Sequence, residues 1–381
     1  MKKLIFKNLI KDILVFFLLI SLSMTLIVWV MQAVNYLDIV SEDGHGFKVY
    51  FMFTIFSIPK LYSKLILFLY FISIFYIISK YQNNNEILIF WSHGIKKQEF
   101  INVIMQFSIL IIVFQLFINT YVAPRTQDIA RNYLRSSNID YFPSLIGQKK
   151  FIDTVKNLTI FIDEKDENGF LYRIFIKDSF GEDKSKIISA EKGIIRKKND
   201  EYVLNLLNGT IANIDKKKTN ILLFSRTEID LSEYGTKTVT DAKVQELDTF
   251  QMINCLNKYY KNNEQYKIKS KYSSSNFECH DGAVDDYYKE IYKRVLIPFY
   301  ILITSLLAST LILRNRNDIR YDKYKLSIFL FGILLILFTE ISNSYASYES
   351  KFNMLLLALP FILILSLYTL IIKANRKALN D

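Results

Sequence analysis

The sequence predicts an α-helical polytopic membrane protein: six transmembrane helices arranged 3+3, with one extracytoplasmic β-jellyroll-like domain inserted between the triplets. Three observations carry that prediction. Six apolar stretches are each long enough to cross a bilayer. The charged residues gather in the middle of the chain and in short loops beside those stretches. The middle of the chain alternates in short, β-branched runs instead of at helical spacing. Over 381 residues the chain is 51% hydrophobic with a formal net charge of +11, an average that conceals this segregation.

A spanning helix needs ~20 mostly apolar residues to cross a hydrocarbon core of about 30 Å. Ile13–Leu37, Lys60–Lys80, Phe100–Val122, Val295–Leu313, Leu326–Ala346 and Asn353–Ile372 meet this. The first resembles a signal peptide in having Lys2, Lys3, Lys7 and Lys11 ahead of an apolar run. It is too long for one, and Val28-Trp29-Val30 stands where a small-residue cleavage site belongs. Orientation follows from the excess of Lys and Arg in cytoplasmic loops. Lys2, Lys3, Lys7 and Lys11, then Lys96 and Lys97, then Arg314, Arg316, Arg320, Lys323 and Lys325, and finally Lys373, Arg376 and Lys377 all fall on one side of an even number of spans. Both termini are therefore expected in the cytoplasm. The opposite loops, Asp38–Lys48 and Tyr348–Lys351, carry little charge or lean acidic.

Between Ala123 and Arg294 the chain changes character. Leu158–Ile162, Leu171–Ile176, Lys186–Ala190, Tyr202–Leu207, Thr210–Ile214, Ile221–Phe224 and Thr227–Leu231 read as strands. Asn168-Gly169, Gly181-Glu182-Asp183 and Asn208-Gly209 read as the turns between them. Short strands without an intervening helical period suggest a sandwich or jelly roll. Met252–Tyr260 has helical spacing, and Lys261 to Asp286, rich in Lys, Ser, Asn and Asp, reads as a linker. The expected organisation is thus spans one to three (1–123, with a cytoplasmic loop near 83–98), the β domain (124–260), a linker (261–290), and spans four to six with the cytoplasmic tail (291–381).

Several chemistries are not signalled. There is no GxxxxGK[ST] phosphate loop, so the chain is not expected to hydrolyse ATP unaided, and no HExxH or GxSxG motif. His45, His93 and His280 are scattered singly, so neither a metal site nor a cofactor is expected. The basic excess flanks apolar runs instead of forming a soluble basic patch, which argues against nucleic acid. Cys255 and Cys279 both lie in the extracytoplasmic segment, where a disulfide is permitted but not dictated by spacing.

Five stretches point further. Asn85-Glu86-Ile87-Leu88-Ile89-Phe90-Trp91-Ser92-His93-Gly94-Ile95 lies in the loop between the second and third spans. Ala123-Pro124-Arg125 follows the third span, with Ala130-Arg131-Asn132-Tyr133 after it. Ser189-Ala190-Glu191-Lys192-Gly193 and Leu207-Asn208-Gly209-Thr210 lie in the β region. In this order, over essentially the whole chain, they resemble the LptF/LptG family of lipopolysaccharide-export permeases, with a lean towards LptF. Trp91, Ser92 and His93 depart from the small residues usual in that loop, as does the long polar linker.

The resemblance implies a permease subunit, not an enzyme, in the bacterial inner membrane, serving outer-membrane biogenesis. Its implied partners are a cytoplasmic ATPase dimer, a second permease of the family, a membrane-anchored jellyroll protein and a periplasmic jellyroll bridge that receives the lipopolysaccharide. It also implies that Glu86, Ile87, Leu88 and Gly94 form the coupling segment to the ATPase. Exposing several acyl chains to water costs tens of kcal/mol at ~0.8 kcal/mol per CH₂, so an apolar groove is needed. Phe16, Phe17, Leu18, Phe68, Phe71 and Phe75 are its candidates. Lys60, Lys64, Arg125, Arg131, Arg135 and Arg294 place cations on the outer side, against the topological bias. They are candidates for the phosphates of a lipid headgroup, with contact to ordinary anionic lipid the plainer alternative. Glu340, an acid near the outer end of the fifth span, marks function by default because intramembrane charge is costly. An envelope-sensing receptor and a lipid-modifying enzyme are the competing readings. The first lacks a cytoplasmic output domain and the second a clustered catalytic set.

Overall fold

A computed structural model describes residues 2–41, 46–136, 149–155, 158–166, 169–179, 184–198, 201–215, 218–230, 243–262, 266–269, 276–279, 281–346 and 353–380. The first half of the chain gives α1 (Lys2–Asn35), α2 (Asp38–Ser41), α3 (Phe47–Phe56), α4 (Ile58–Asn83), α5 (Ile87–Ser92), α6 (Lys97–Phe117) and α7 (Ala123–Ser136). Six strands follow: β1 (Lys150–Val155), β2 (Leu158–Lys165), β3 (Phe170–Ser179), β4 (Lys184–Lys198), β5 (Glu201–Asp215) and β6 (Lys218–Asp230). Then come α8 (Thr249–Asn262), the hairpin β7 (Tyr266–Lys269) and β8 (Asn276–Cys279), α9 (Asp281–Val295), α10 (Tyr300–Ser309), α11 (Tyr321–Tyr345) and α12 (Asn353–Asn380). Among the described residues, six helical segments are long and apolar enough to cross a membrane: Lys2–Val40, Phe47–Asn83, Lys97–Leu134, Ala283–Leu313, Tyr321–Tyr345 and Asn353–Lys373. Each contains most or all of one expected span.

The chain divides into two compact units. The first comprises Met1–Val30, Phe56–Ile129 and Ala242–Asp381. Its centre is the fourth span, in which Ile301, Ile303, Leu306, Ala308 and Leu311 are buried and against which α4, α6, α11 and α12 pack. Polar residues are tolerated on this helix because each finds a local acceptor. Thr304, Ser305 and Ser309 donate to the carbonyls of Ile301, Leu302 and Leu306 at 2.7–3.1 Å, as hydroxyls without water must. The helix tightens into a 3₁₀ turn at Thr310–Leu313. Its last carbonyls are held by neighbours: Gln82 Nε2 donates to Leu311 (2.8 Å), Lys97 Nζ to Leu313 (3.3 Å) and Tyr324 Oη to Thr310 (3.0 Å). Gly332 in α11 makes room for a ring, since a Cβ there would stand 2.1 Å from Cζ of Phe71.

The second unit comprises Met31–Ile55 and Ala130–Asp241. Its sheet is a six-stranded antiparallel meander in the order β1-β2-β3-β4-β5-β6. A jelly roll in the strict sense crosses between sheets. Here each connection spans two to four residues, which lets a strand pair only with its sequence neighbour. The ladder skips one position in every central strand. Asp163, Arg173, Glu191, Asn208 and Ser225 are unpaired in register, yet the registers on both sides agree. These positions lie along one line across the sheet, and Arg173 (φ 52°) and Asn208 (φ 51°) are left-handed. The line acts as a crease, in the way a bulge re-aims a strand. Inward residues are spaced by two on either side of it and by three across it: Leu171 then Ile174, Leu206 then Gly209. One apolar interior therefore runs through the crease, formed by Ile160, Ile162, Ile174, Ile176, Ile188, Leu204 and Leu206.

Several expectations are corrected here. Asn208-Gly209 is not a turn: Tyr202–Leu207 and Thr210–Ile214 are one strand, β5, and the Asn-Gly chemistry serves the crease within it. Ile221–Phe224 and the described part of Thr227–Leu231 likewise merge into β6. The Lys261–Asp286 stretch contains the β7–β8 hairpin and the start of α9, because Ala283, Tyr287 and Ile291 recur at helical spacing and pack with α8. Lys150–Val155 forms a further strand, β1, whose Lys-Phe-Ile-Asp-Thr-Val sequence carries no strict alternation. Asn168 and Gly181-Glu182-Asp183 lie outside the described residues.

Candidate functional site

Two groups of residues in the first unit carry recognisable chemistry, one at each end of the spans. At the end bearing the β insertion, a cavity of about 70 Å³ opens among α4, the α6–α7 junction, the α9–α10 region and α11. Its floor is apolar: Leu67, Phe68, Ile297 and Ile336. Its rim holds the cations Lys60, Lys64 and Lys293 and the acids Glu290 and Glu340. Lys60 Nζ donates to Gln127 Oε1 (3.3 Å), and Gln127 Nε2 to Ser57 Oγ (3.4 Å). Gln115 also lines the cavity. Its Nε2 donates to the Ser63 carbonyl (3.2 Å), and its Oε1 is buried with no partner among the described residues. An amphipathic ligand suits this arrangement, with an anionic head on the lysines and apolar carbons against Phe68 and Ile336.

Arg294 lies on the cavity wall, yet its guanidinium is engaged elsewhere. At 3% exposure, its Nε donates to Glu290 Oε1 (3.0 Å), Nη1 to the Leu247 carbonyl (2.8 Å) and Thr249 Oγ1 (2.9 Å), and Nη2 to the Gln245 carbonyl (3.0 Å). Thr249 Oγ1 donates in turn to the Thr120 carbonyl (3.1 Å). The local reason is Pro124. A proline supplies no N–H and crowds the carbonyl four residues back, here Thr120, and the helix widens into a π turn at Ile118–Val122. Arg294 therefore fastens the segment returning from the β insertion to the third and fourth spans. This geometry gives it a structural role and turns its guanidinium away from the cavity. Arg125 stacks its guanidinium 3.6 Å over the Tyr121 ring. Arg131 belongs to the second unit and is buried there; the side chain of Arg135 lies outside the described residues.

The aromatic candidates separate by burial. Phe68 lines the cavity. Phe17 (1% exposed) and Phe71 (0%) are core residues. Phe17 meets Tyr70 edge-on at 5.6 Å, and Phe71 stacks on Phe329 at 6.2 Å beside Phe75. In this conformation neither offers surface to a ligand. Phe16 is half-buried against Tyr76 at 4.4 Å, and Leu18 is exposed.

At the opposite end, α5 sits between two left-handed residues, Asn85 (φ 58°) and Gly94 (φ 67°), which turn the chain sharply on either side of it. Ile87 and Phe90 face inward, Phe90 meeting Phe100 at 5.1 Å and Phe6 at 5.8 Å. Leu88 and Ile89 are exposed at 57% and 48%. Asn84 Nδ2 donates to Glu86 Oε1 (2.8 Å), orienting the half-buried Glu86 at the helix start, and Lys2 Nζ donates to the Gly94 carbonyl (3.0 Å). The segment is a short helix, seated by aromatics, that presents two aliphatic side chains and a carboxylate.

Of the residues singled out in the sequence, the structure brings Lys60, Lys64, Phe68 and Glu340 together around one cavity, with Arg294 in its wall, and forms Ile87–Ser92 into a separate short helix. Sequence reasoning missed the roles of Gln115, Gln127, Thr249 and Glu290. Only Glu290 carried a local signal, standing four residues before Arg294 on one helical face.

A family model described as lipopolysaccharide export system permease LptF/LptG matches residues 7–374. An uncharacterized protein of Rickettsia prowazekii (strain Madrid E) is 22% identical over 354 residues, 91% of each chain. Six apolar helices, a β domain inserted after the third and a family match over nearly the whole length agree: the chain belongs to the LptF/LptG family of lipopolysaccharide export permeases.

Proposed function

We propose that the chain is one permease subunit of an ATP-driven exporter in the bacterial inner membrane, extracting lipopolysaccharide and passing it to a periplasmic β-jellyroll bridge. The observation that carries this reading is the α5 segment, whose exposed Leu88 and Ile89 suit a groove on a separate nucleotide-binding subunit. Both termini and α5 face the cytoplasm on this reading, with the β domain and α8 in the periplasm. Two features support that orientation. Lys and Arg crowd the loops on the α5 side. Cys255, near the β insertion, is disulfide-bonded, and disulfides persist in oxidising compartments; the chain's other cysteine is Cys279.

In this mechanism the ATPase dimer closes on ATP and moves α5, and α5 carries the second and third spans that flank it. The cavity beneath Lys60, Lys64 and Lys293 holds a phosphate-bearing headgroup, while the acyl chains follow the apolar wall at Phe68. A second permease of the family completes the path, and the creased β domain and a membrane-anchored jellyroll protein receive the lipid. Glu86→Lys is expected to abolish lipopolysaccharide-stimulated ATP hydrolysis by the reconstituted complex while leaving the chain folded. Normal export by that variant would refute the coupling assignment.

A further inference from the structure

The loop between the fourth and fifth spans, residues 314–320, is ordered and carries an isoleucine with nowhere to go. Asp318 organises it: Arg314 Nε donates to its Oδ2 (2.8 Å) and the Arg320 backbone N–H to its Oδ1 (3.1 Å). The Asp318 N–H donates to the Asn315 carbonyl (3.2 Å), and the Tyr321 N–H to that of Asp318 (2.9 Å). The Arg320 N–H, with Arg314 beside it, holds the Asp318 carboxyl below the usual carboxylate range, so the turn keeps its charge at any physiological pH. Ile319 projects from this turn fully exposed, at 101%, with Arg316 and Arg320 exposed around it.

The loop is joined to the end of α4, from which the chain runs into the coupling segment. The Arg316 guanidinium donates to the Asn83 carbonyl, just ahead of α5. Gln82 Nε2 reaches the Leu311 and Arg314 carbonyls, and Tyr321 donates to Gln82 Oε1. A rigid aliphatic tip costs little entropy to dock, and its fixation to the end of α4 sets it beside the point from which the chain runs into α5, with its exposed Leu88 and Ile89.

We infer that the 314–320 loop and α5 form one composite docking surface for the nucleotide-binding subunit, with Ile319 entering an apolar, acid-rimmed pocket of that partner. This rests on the reading of Glu86–Gly94 as the coupling segment. It adds a second point of force on the buried fourth span, the same continuous stretch that bears Arg294.

The test places photoreactive benzoylphenylalanine at Ile319 or, separately, at Leu88, in the full chain co-expressed with its partner subunits and irradiated in native membranes. Both positions are expected to capture the nucleotide-binding subunit, identified by mass spectrometry. Ile319→Glu is expected to lower ATPase retained on the purified complex at least about five-fold, the effect of a modest interface hot spot. Capture at Leu88 with only lipid or nothing captured at Ile319 would overturn the inference and leave the coupling reading standing. Failure at both positions would overturn both.

Discussion

Arg294 shows how one side chain decides the geometry around it. Its guanidinium satisfies two backbone carbonyls, a hydroxyl and a carboxylate in a site closed to water. Arg294→Met removes every one of those bonds and leaves Glu290 without its hydrogen-bonded cation. Breaking a buried pair in this way costs about 3–5 kcal/mol, so the variant's thermal unfolding midpoint in detergent is expected to fall sharply. Thr249→Val preserves shape and removes only the hydroxyl that links Arg294 to Thr120, so a smaller loss of about 1–3 kcal/mol is expected. Equal midpoints for Arg294→Met and wild type would show that the clamp bears no load. In the sequence Arg294 looked like an outer-side cation available to a headgroup. Nothing local distinguishes a surface arginine from one whose acceptors, Gln245, Leu247 and Thr249, lie 45 or more residues away. That Lys60 and Lys64 stand at a cavity rim was legible because a lysine opening an apolar helix has few places to put its charge except a polar rim.

Among the elements, β5 departs furthest from its sequence signal. Asn-Gly between alternating runs is ordinarily a hairpin turn, and the same dipeptide here lies within a continuous strand. Asn tolerates the left-handed backbone at 208, and Gly209 allows close passage, since a Cβ there would lie 2.1 Å from the Ser189 carbonyl oxygen. Asn208→Gly is therefore expected to be tolerated. Asn208→Val should cost about 1–2 kcal/mol from its left-handed φ, and Gly209→Val more, because backbone must move. Hydrogen exchange on the full chain reads this directly: amides of β4 to β6 should lose protection in the valine variants and keep it in Asn208→Gly. Unchanged protection in Gly209→Val would mean that the crease is not built as described. The crease was illegible because five positions from five strands align only once the ladder is assembled. Strand existence, by contrast, was plain from the β-branched runs. α9 was hidden by the polar composition of its surroundings, although its apolar positions repeat at helical spacing.

For the whole molecule, six spans and one β insertion were legible because a bilayer imposes length and apolarity on every crossing, a constraint that composition alone reveals. The cavity and the surface of α5 with the 314–320 loop were only partly so. Their lysines, Phe68 and α5 stand in marked sequence contexts, while Gln115, Gln127 and Ile319 acquire meaning from residues far along the chain. At this scale the proposed function comes down to one event, in which ATP hydrolysed by a partner drives lipopolysaccharide from the bilayer through this permease onto its β domain. The direct measurement reconstitutes the full complex in lipopolysaccharide-containing proteoliposomes, with a photoreactive residue in place of Ile176 inside the creased sheet. Lipopolysaccharide adducts at that position should accumulate only with ATP and should disappear with Glu86→Lys. Adducts that form equally without ATP, or none while the complex hydrolyses ATP normally, would contradict it.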